Sequence, residues 1–394
     1  MENKGKNNGA KLALIIAFCA ALGAVFVLLL ALPKHAGELS PLEFRQLADY
    51  PIRGKSADKL KENVVTGRFS SDVDSFLEDH FPGRSFFISL ESYSSRLTGR
   101  NADKSVVWGK NGRLFDAPLS VDDESLEQLK TNVSQIDSFC AENGLEAIYA
   151  IVPSSAAICA DELPALHLDY PQSVEGLAKG LSSGSVMELG GLFSSAEDPS
   201  GLLYRTDHHW TMEGVYACYK ELCGLLGETP ASREYFTVEE YDFYGSYYRK
   251  AGLWLTKPDT LEVWRSPLLD SMEVVLGVES RGDIRTGVYD AEKLAEGEVD
   301  KYASYLYSNN GLTVIRNPEG NGKTLMIVKD SYGNSIAPLL AVNYSNIIMI
   351  DTRYYDDPAL PLPSELAAEY GAEKLVVVMG EDTALSRCKL AFLR

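Results

Sequence analysis

The sequence predicts an α/β fold, a parallel sheet with helices on both faces. Three observations carry this. First, "LEAIYAIVP" (145–153), "TLMIVKD" (324–330), "NIIMID" (346–351) and "KLVVVMG" (374–380) are short and apolar without alternation. A strand that is apolar at every position is buried on both faces, as strands of parallel sheets are. Second, helical patterns stand between them. Leu126 to Asn143 is one, 331–344 is another, and 211–227 places Val215, Cys218, Tyr219, Leu222 and Leu226 on one stripe. Third, the two kinds of segment alternate along the chain, which is the order of βαβ units.

The elements follow in chain order. From Leu12 to Leu32 no residue is charged. At about 1.5 Å per residue this run can cross a hydrocarbon core of roughly 30 Å. Lys4, Lys6 and Lys11 precede it and Glu2 is the only acid there, which sets residues 1–11 in the cytoplasm and everything after Pro33 outside. A cleaved signal peptide is the competing reading, although the run is longer than an h-region of about 7–15 residues. Residues 33–104 are expected to form a mainly helical stalk or adaptor, with Phe69, Val73, Phe76 and Leu77 at helical spacing. "SVVWGKNGRLFD" (105–116) reads as a hairpin turning at Asn111-Gly112, and opens an α/β domain over 105–394. "SVMELGGLF" (185–193) is a further strand candidate. Residues 234–321 are rich in Tyr, Phe and Trp and broken by Gly and Pro. They are expected to be an insertion with β character beside the sheet, and aromatic residues near a cleft suit sugar rings.

Composition narrows the function. Hydrophobic residues at 45% and charged residues at 24% are those of a folded chain. The formal net charge of -19 disfavours nucleic acid and anionic lipid headgroups as partners, and no nucleic acid is expected. Cys19 lies in the apolar run, which leaves Cys140, Cys159, Cys218, Cys223 and Cys388, an odd number without a C-x-x-C pair. They read as small buried side chains, with one bridge still open.

Chemistry concentrates in two places. Ser331 follows the buried strand at 324–328, and ligands of open α/β sheets sit outside the carboxyl ends of strands. The helix that begins there offers free N–H groups to an oxyanion. Ser331 could equally be only the cap of that helix. A nucleophilic serine needs a base and the base an orienter. "TDHHWT" (206–211) supplies both. If this stretch is extended, Asp207 and His209 share a face and His208 turns away, while Thr211 caps the helix after it. A polar loop and a metal site are the alternatives. The metal needs further ligands that His35, His80 and His167 do not suggest by spacing. The DHH phosphoesterases share only the three letters, and "LEAIYAIVP" ends without the aspartate they need. No cofactor and no metal is expected.

"TDHHWT", then "KDSYGNS" (329–335) and "IDTRYY" (350–355) together resemble the bacterial DHHW protein family, which is similar to the alginate O-acetylation proteins of SGNH hydrolase-like fold. "EFRQLADYP", "FLEDHFPGR", "VVWGKNGRLF" and "GSYYRKAGLWLTKPD" extend the likeness over most of the chain. The resemblance implies an SGNH hydrolase-like sheet with a permuted triad: Asp207 and His209 before Ser331. Asn334, Arg353, Trp210 and Tyr332 are then candidates for oxyanion or substrate binding. Two departures stand out: K-D-S replaces G-D-S, and the glycine and asparagine of the SGNH oxyanion hole lack obvious counterparts. The implied function is an extracytoplasmic, membrane-anchored O-acetyltransferase or acetylesterase acting on a cell-surface or exported polysaccharide, with a membrane O-acyltransferase as acyl supplier. The alternative is a non-catalytic polysaccharide-binding or envelope assembly protein on the same fold.

Overall fold

The computed structural model describes residues 2–40, 42–43, 45–103, 106–119, 121–167, 173–281, 283–386, 388 and 390. The boundary expected at 104/105 falls outside them. The chain forms two compact units, residues 1–99 with 252–254, and residues 100–251 with 255–394.

The first unit starts with a helix, Glu2–Ala31. Its stretch Lys11–Ala31 is long and apolar enough to cross a membrane and none of it is buried by protein. Three helices follow, Ala57–Val65, Arg68–Asp79 and Arg84–Leu97. Asp79 ties the preceding loop to them: its Oδ2 accepts from Ala48 N at 2.7 Å and from Arg45 Nη1 at 2.8 Å.

The second unit opens with β1 (Ala102–Asp103), β2 (Val106–Trp108) and β3 (Leu114–Asp116), a small antiparallel sheet. Asn111 and Gly112 turn the hairpin with φ of 55° and 78°, the left-handed conformation an Asn-Gly pair adopts cheaply. The central sheet contains β4 (Glu146–Val152), β5 (Ser185–Val186), β8 (Glu273–Leu276), β9 (Ile284–Thr286), β10 (Leu312–Arg316), β11 (Thr324–Lys329), β12 (Asn346–Asp351) and β13 (Lys374–Gly380). A separate antiparallel pair, β6 (Thr237–Phe243) and β7 (Asp259–Arg265), lies between them in sequence.

The order of the central sheet is β5-β4-β13-β11-β12-β10-β8-β9. The first five strands are parallel. The other three run antiparallel, β10 to β12 and β8, and β8 to β9. The sheet is therefore mixed, not parallel throughout. The difference comes from residues 234–321: expected beside the sheet, this segment contributes β6–β7 as a separate pair but also β8, β9 and β10, which widen the sheet itself. "SVMELGGLF" yields the two residues of β5 and then a helix, Leu189–Ser194.

The continuous apolar runs are explained by two cores. Along β11, Leu325 and Ile327 enter one core while Met326 and Val328 enter the other. β4, β12 and β13 alternate in the same way. The first core is closed by the helices Met212–Leu226 and Tyr332–Ala341, the second by Asp123–Asn143, Val174–Leu181 and Pro363–Tyr370. Truncating one such side chain, Ile327→Ala for instance, costs about 2–5 kcal/mol. This rigid sheet carries the loops described next.

Candidate active site

β11 ends at Lys329, and the chain turns through Asp330 and Ser331 into the helix Tyr332–Ala341. Asp330 caps that helix: its Oδ1 accepts from Tyr332 N at 2.9 Å, and its Oδ2 accepts from Gly380 N at the end of β13. Ser331 makes no capping bond. Its hydroxyl lies 2.8 Å from His209 Nε2 instead. Tyr332 N–H is held by Asp330 Oδ1 and Gly333 N–H by Asp330 O. The expectation that amides beyond Ser331 hold an oxyanion is thereby reduced to Ser331 N–H, which has no acceptor among the described residues.

His209 comes from a tight loop, not an extended strand. Leu203 bridges to Trp210, and Tyr204 N donates to His209 O. Asp259 of β7 fastens the loop by accepting from Arg205 N, Thr206 N and Thr206 Oγ1. Within it Asp207 Oδ1 accepts from His209 N at 3.0 Å and from His209 Nδ1 at 2.6 Å. This is an Asx turn, in which a carboxylate bonds the backbone two residues on. The turn, not strand alternation, brings Asp207 and His209 together. His208 consequently does not swing to the far side: its ring lies against His209, centroids 3.8 Å apart and tilted by 36°. Thr211 caps the following helix through Gly214 N.

Asp207 Oδ2 accepts from Ser246 N at 2.6 Å. This contact needs glycine at 245, where a Cβ would stand 2.2 Å from Asp207 Cβ and 2.4 Å from Thr206 O. The imidazole is also fixed from the side: the Tyr302 ring stacks on His209 at 3.7 Å and 12°. Tyr302 Oη meets Ser335 Oγ at 3.1 Å, and Trp210 Nε1 donates to the same oxygen at 2.8 Å.

Electrostatics agree with the geometry. Burial would raise the Asp207 carboxyl, but His208, His209 and the Ser246 amide outweigh it and hold it well below the usual range. Asp207 is thus an ionised acceptor, which puts the His209 proton on Nδ1 and leaves Nε2 to accept from Ser331 Oγ. Burial, with His208 adding to it, lowers His209 to about 4 against the pull of Asp207. His209 is therefore a neutral base at neutral pH.

The three residues open on a cleft of about 240 Å³ that Asn334, Arg353 and Asn309 also line. Asn334 is fully engaged: Lys329 Nζ donates to its Oδ1 at 2.7 Å, and its Nδ2 donates to Asn309 Oδ1 at 3.0 Å. Arg353 Nε and Nη2 clasp Asp351. Trp210 and Tyr332 do not line this cleft. Trp210 packs in the core, and Tyr332 donates to His208 O and borders a second, smaller cleft of about 50 Å³ that also reaches His208.

Asn309 is a residue that sequence reasoning missed. It follows Leu306, Tyr307 and Ser308, three non-glycine residues in succession with φ of 52°, 59° and 74°. Each such residue costs roughly 1–2 kcal/mol. Asn310 Nδ2 bonds the Tyr307 carbonyl at 3.2 Å, Tyr307 Oη donates to Gly287 O at 3.0 Å, and Leu306 N donates to Val288 O. No local pattern announces such a run.

A metal finds poor terms here. Asp207, His208 and His209 offer ligand atoms within 4.8 Å of one another, but His209 Nδ1 carries a proton toward Asp207 and Nε2 faces Ser331 Oγ. The cysteines are free thiols, and Cys140, Cys159, Cys218 and Cys223 are buried.

Residues 191–350 match the DHHW protein family, the one its motifs resemble. A DHHW family protein from Eubacterium siraeum shares the fold at 18% identity and a TM-score of 0.59, over 73% of this chain and 93% of that one. Bacillus cereus PatB1, solved with a sulfonyl adduct, is similar at 19% identity and a TM-score of 0.60, over 73% and 97%. The O-acetyltransferase domain of Pseudomonas putida AlgJ is more remote, at 14% identity and a TM-score of 0.44, over 71% and 92%. No curated protein matches the chain.

Proposed function

We propose that this protein is a serine acyl-ester enzyme with an SGNH hydrolase-like catalytic unit, an O-acetyltransferase or acetylesterase working on a cell-surface or exported polysaccharide. The observation that carries the reading is the continuous hydrogen-bonded chain Asp207–His209–Ser331, with Nδ1–Oδ1 at 2.6 Å and Nε2–Oγ at 2.8 Å.

Ser331 Oγ attacks the carbonyl carbon of an acyl ester while His209 Nε2 takes its proton. Asp207 stabilises the imidazolium that forms. His209 then returns the proton to the departing alcohol, leaving an acyl-serine. A sugar hydroxyl or water attacks that acyl group after giving its proton to His209, and Ser331 is restored. The cleft beside Ser331 gathers convergent polar groups, Arg249, Asn309, Asn334 and Arg353 among them, as small-ligand sites do. The aromatic side chains Phe243 and Tyr302 on its wall support a carbohydrate acceptor. The N-terminal apolar helix supports a single-pass anchor with the catalytic unit outside the cell, and residues 33–104 then act as the adaptor between them. A transferase outside the cytoplasm needs acyl groups delivered to it, which makes a membrane O-acyltransferase the fitting partner. PatB1 with its sulfonyl adduct suggests the reagent for a test, since sulfonyl groups attach to activated nucleophiles.

The test uses the full chain in detergent, with p-nitrophenyl acetate as the acyl donor. Ser331→Ala and His209→Ala are each expected to lower kcat on the order of 10⁴-fold or more, with melting midpoints close to wild type. Phenylmethylsulfonyl fluoride is expected to label the wild type and not Ser331→Ala. Equal background rates in all three proteins would end the catalytic reading and leave polysaccharide binding as the function to measure.

A further inference from the structure

The unexplained feature of the site is Lys329. An ammonium group is expensive to bury, yet Lys329 is 1% exposed, directly before the Asp330–Ser331 pair. Asp351 Oδ2 compensates it at 2.9 Å, and Arg353 clasps the same carboxylate from the cleft side. Both cations then reach toward one residue. Lys329 Nζ donates to Asn334 Oδ1, and Asn334 Nδ2 donates to Asn309 Oδ1. Arg353 Nη2 donates to that same Asn309 oxygen at 3.1 Å.

The orientation of two carboxamides follows from donors alone. An ammonium has no acceptor, so the atom of Asn334 that faces Lys329 is its oxygen, and its nitrogen faces Asn309. A guanidinium has no acceptor either, so the atom of Asn309 that faces Arg353 and Asn334 is its oxygen. A flip of Asn309 would set its NH₂ against two donors. Its Nδ2 therefore points the other way, and it has no acceptor among the described residues. Asn309 lines the same cleft as Ser331 and His209.

From this arrangement, and resting on the serine-enzyme reading above, we infer that Asn309 Nδ2 is a side-chain donor of the oxyanion hole, with Ser331 N–H as its backbone counterpart. Lys329 is a positioning residue that keeps that nitrogen turned into the cleft through Asn334. When Ser331 Oγ bonds to the carbonyl carbon, its proton passes to His209 and the carbonyl π pair moves onto the oxygen. On this inference Asn309 Nδ2–H and Ser331 N–H are the donors that meet the developing charge. When the tetrahedral species collapses, the pair returns to the carbonyl and the leaving alkoxide takes the proton from His209. The lysine of K-D-S, which departs from the usual glycine, is on this account part of the machinery. The left-handed run Leu306–Ser308 is what delivers Asn309 to the cleft.

The experiment compares full-chain variants in detergent with p-nitrophenyl acetate, following kcat, KM, the pH–rate profile and the melting midpoint. Asn309→Ala is expected to lower kcat about 10²–10³-fold, the cost of one oxyanion donor, with KM, the acidic midpoint of the profile and the melting midpoint unchanged. Asn309→Asp is expected to be at least as slow, because it sets a carboxylate against the developing charge. Asn334→Asp is isosteric and still accepts from Lys329, but it no longer donates to Asn309 Oδ1. Arg353 alone then holds the Asn309 oxygen while the new carboxylate draws the Asn309 nitrogen away from the cleft, and kcat is expected to fall several-fold or more although Asn309 itself is intact. A twofold or smaller change of kcat in Asn309→Ala and Asn334→Asp, beside Ser331-dependent wild-type turnover, overturns this inference and leaves the serine-enzyme reading standing. Wild-type turnover that does not depend on Ser331 overturns both.

Discussion

At the scale of single residues, His209 is defined by conflicting influences: burial and His208 disfavour its proton, while Asp207 favours it. Burial wins, and the group titrates near about 4, below the ordinary value of about 6.5. A general base must be neutral to act, so kcat/KM is expected to hold level from neutral pH down to about pH 5 and to fall as pH drops through about 4. A profile of kcat/KM against pH with a midpoint near 6.5 would contradict this. Stability has the same sign. Between about pH 6.5 and 4 the unfolded chain binds a proton at His209 and the folded one does not, so unfolding becomes easier as pH falls, by on the order of 3 kcal/mol over that window. Denaturant midpoints at pH 7 and pH 4.5 measure it. Asp207→Asn leaves a side chain of the same shape but releases the imidazole tautomer. It is expected to lower kcat about 10⁴-fold, while His209 N still has an acceptor at Oδ1.

At the scale of elements, the site is a junction of three loops, each held by a specific contact. The loop after β11 is capped by Asp330, the Asp207–His209 loop is fastened by Asp259 of β7, and the loop before the helix Ser246–Ala251 approaches Asp207 through Gly245. Gly245→Ala adds a methyl group 2.2 Å from Asp207 Cβ, far inside contact distance. The loop must move. The expected result is roughly 1–3 kcal/mol of lost stability and a fall in kcat on the order of 100-fold from a base displaced by about an ångström. Thermal melting and acetate-ester turnover of the purified variant check the two together. An active, equally stable Gly245→Ala protein would mean that Ser246 N is not what holds Asp207.

At the scale of the whole molecule, a chain of net charge -19 carries near its N-terminus a helix that is apolar on every face from Leu12 to Ala31. The full chain is expected to stay in the membrane fraction after alkaline carbonate extraction, and a chain lacking residues 1–35 to leave it. Mass analysis of the mature protein separates an anchor from a cleaved signal: retention of residues 1–35 supports the anchor, and their loss supports the signal peptide. The two cores occupy the faces of the sheet, and the proposed chemistry stands at one end of it, beyond the carboxyl end of β11.

Much of this was legible in the chain because the signals are local. The uncharged run 12–32, the buried strands β4, β11, β12 and β13, the Asn111-Gly112 turn and the Thr211 cap each depend on neighbours a few residues away. Asp207, His209 and Ser331 stood out for the same reason, a short polar motif before a helix and a serine after a buried strand. Their meeting over 122 positions of chain is a matter of packing alone. The Asx turn that replaced strand alternation, the antiparallel strands β8 to β10, and the withdrawal of Trp210 and Tyr332 from the cleft were decided by tertiary contacts. So was Asn309, whose left-handed approach no propensity favours and whose amide orientation is dictated by Lys329, Arg353 and Asn334. The sequence by itself determined which segments are buried and where a nucleophile and a base could stand, because burial and capping are read from spacing. Only the tertiary structure decided which side chains gather around Ser331 and how their amides turn, because a hydrogen-bond orientation depends on partners that are distant in sequence and adjacent in space.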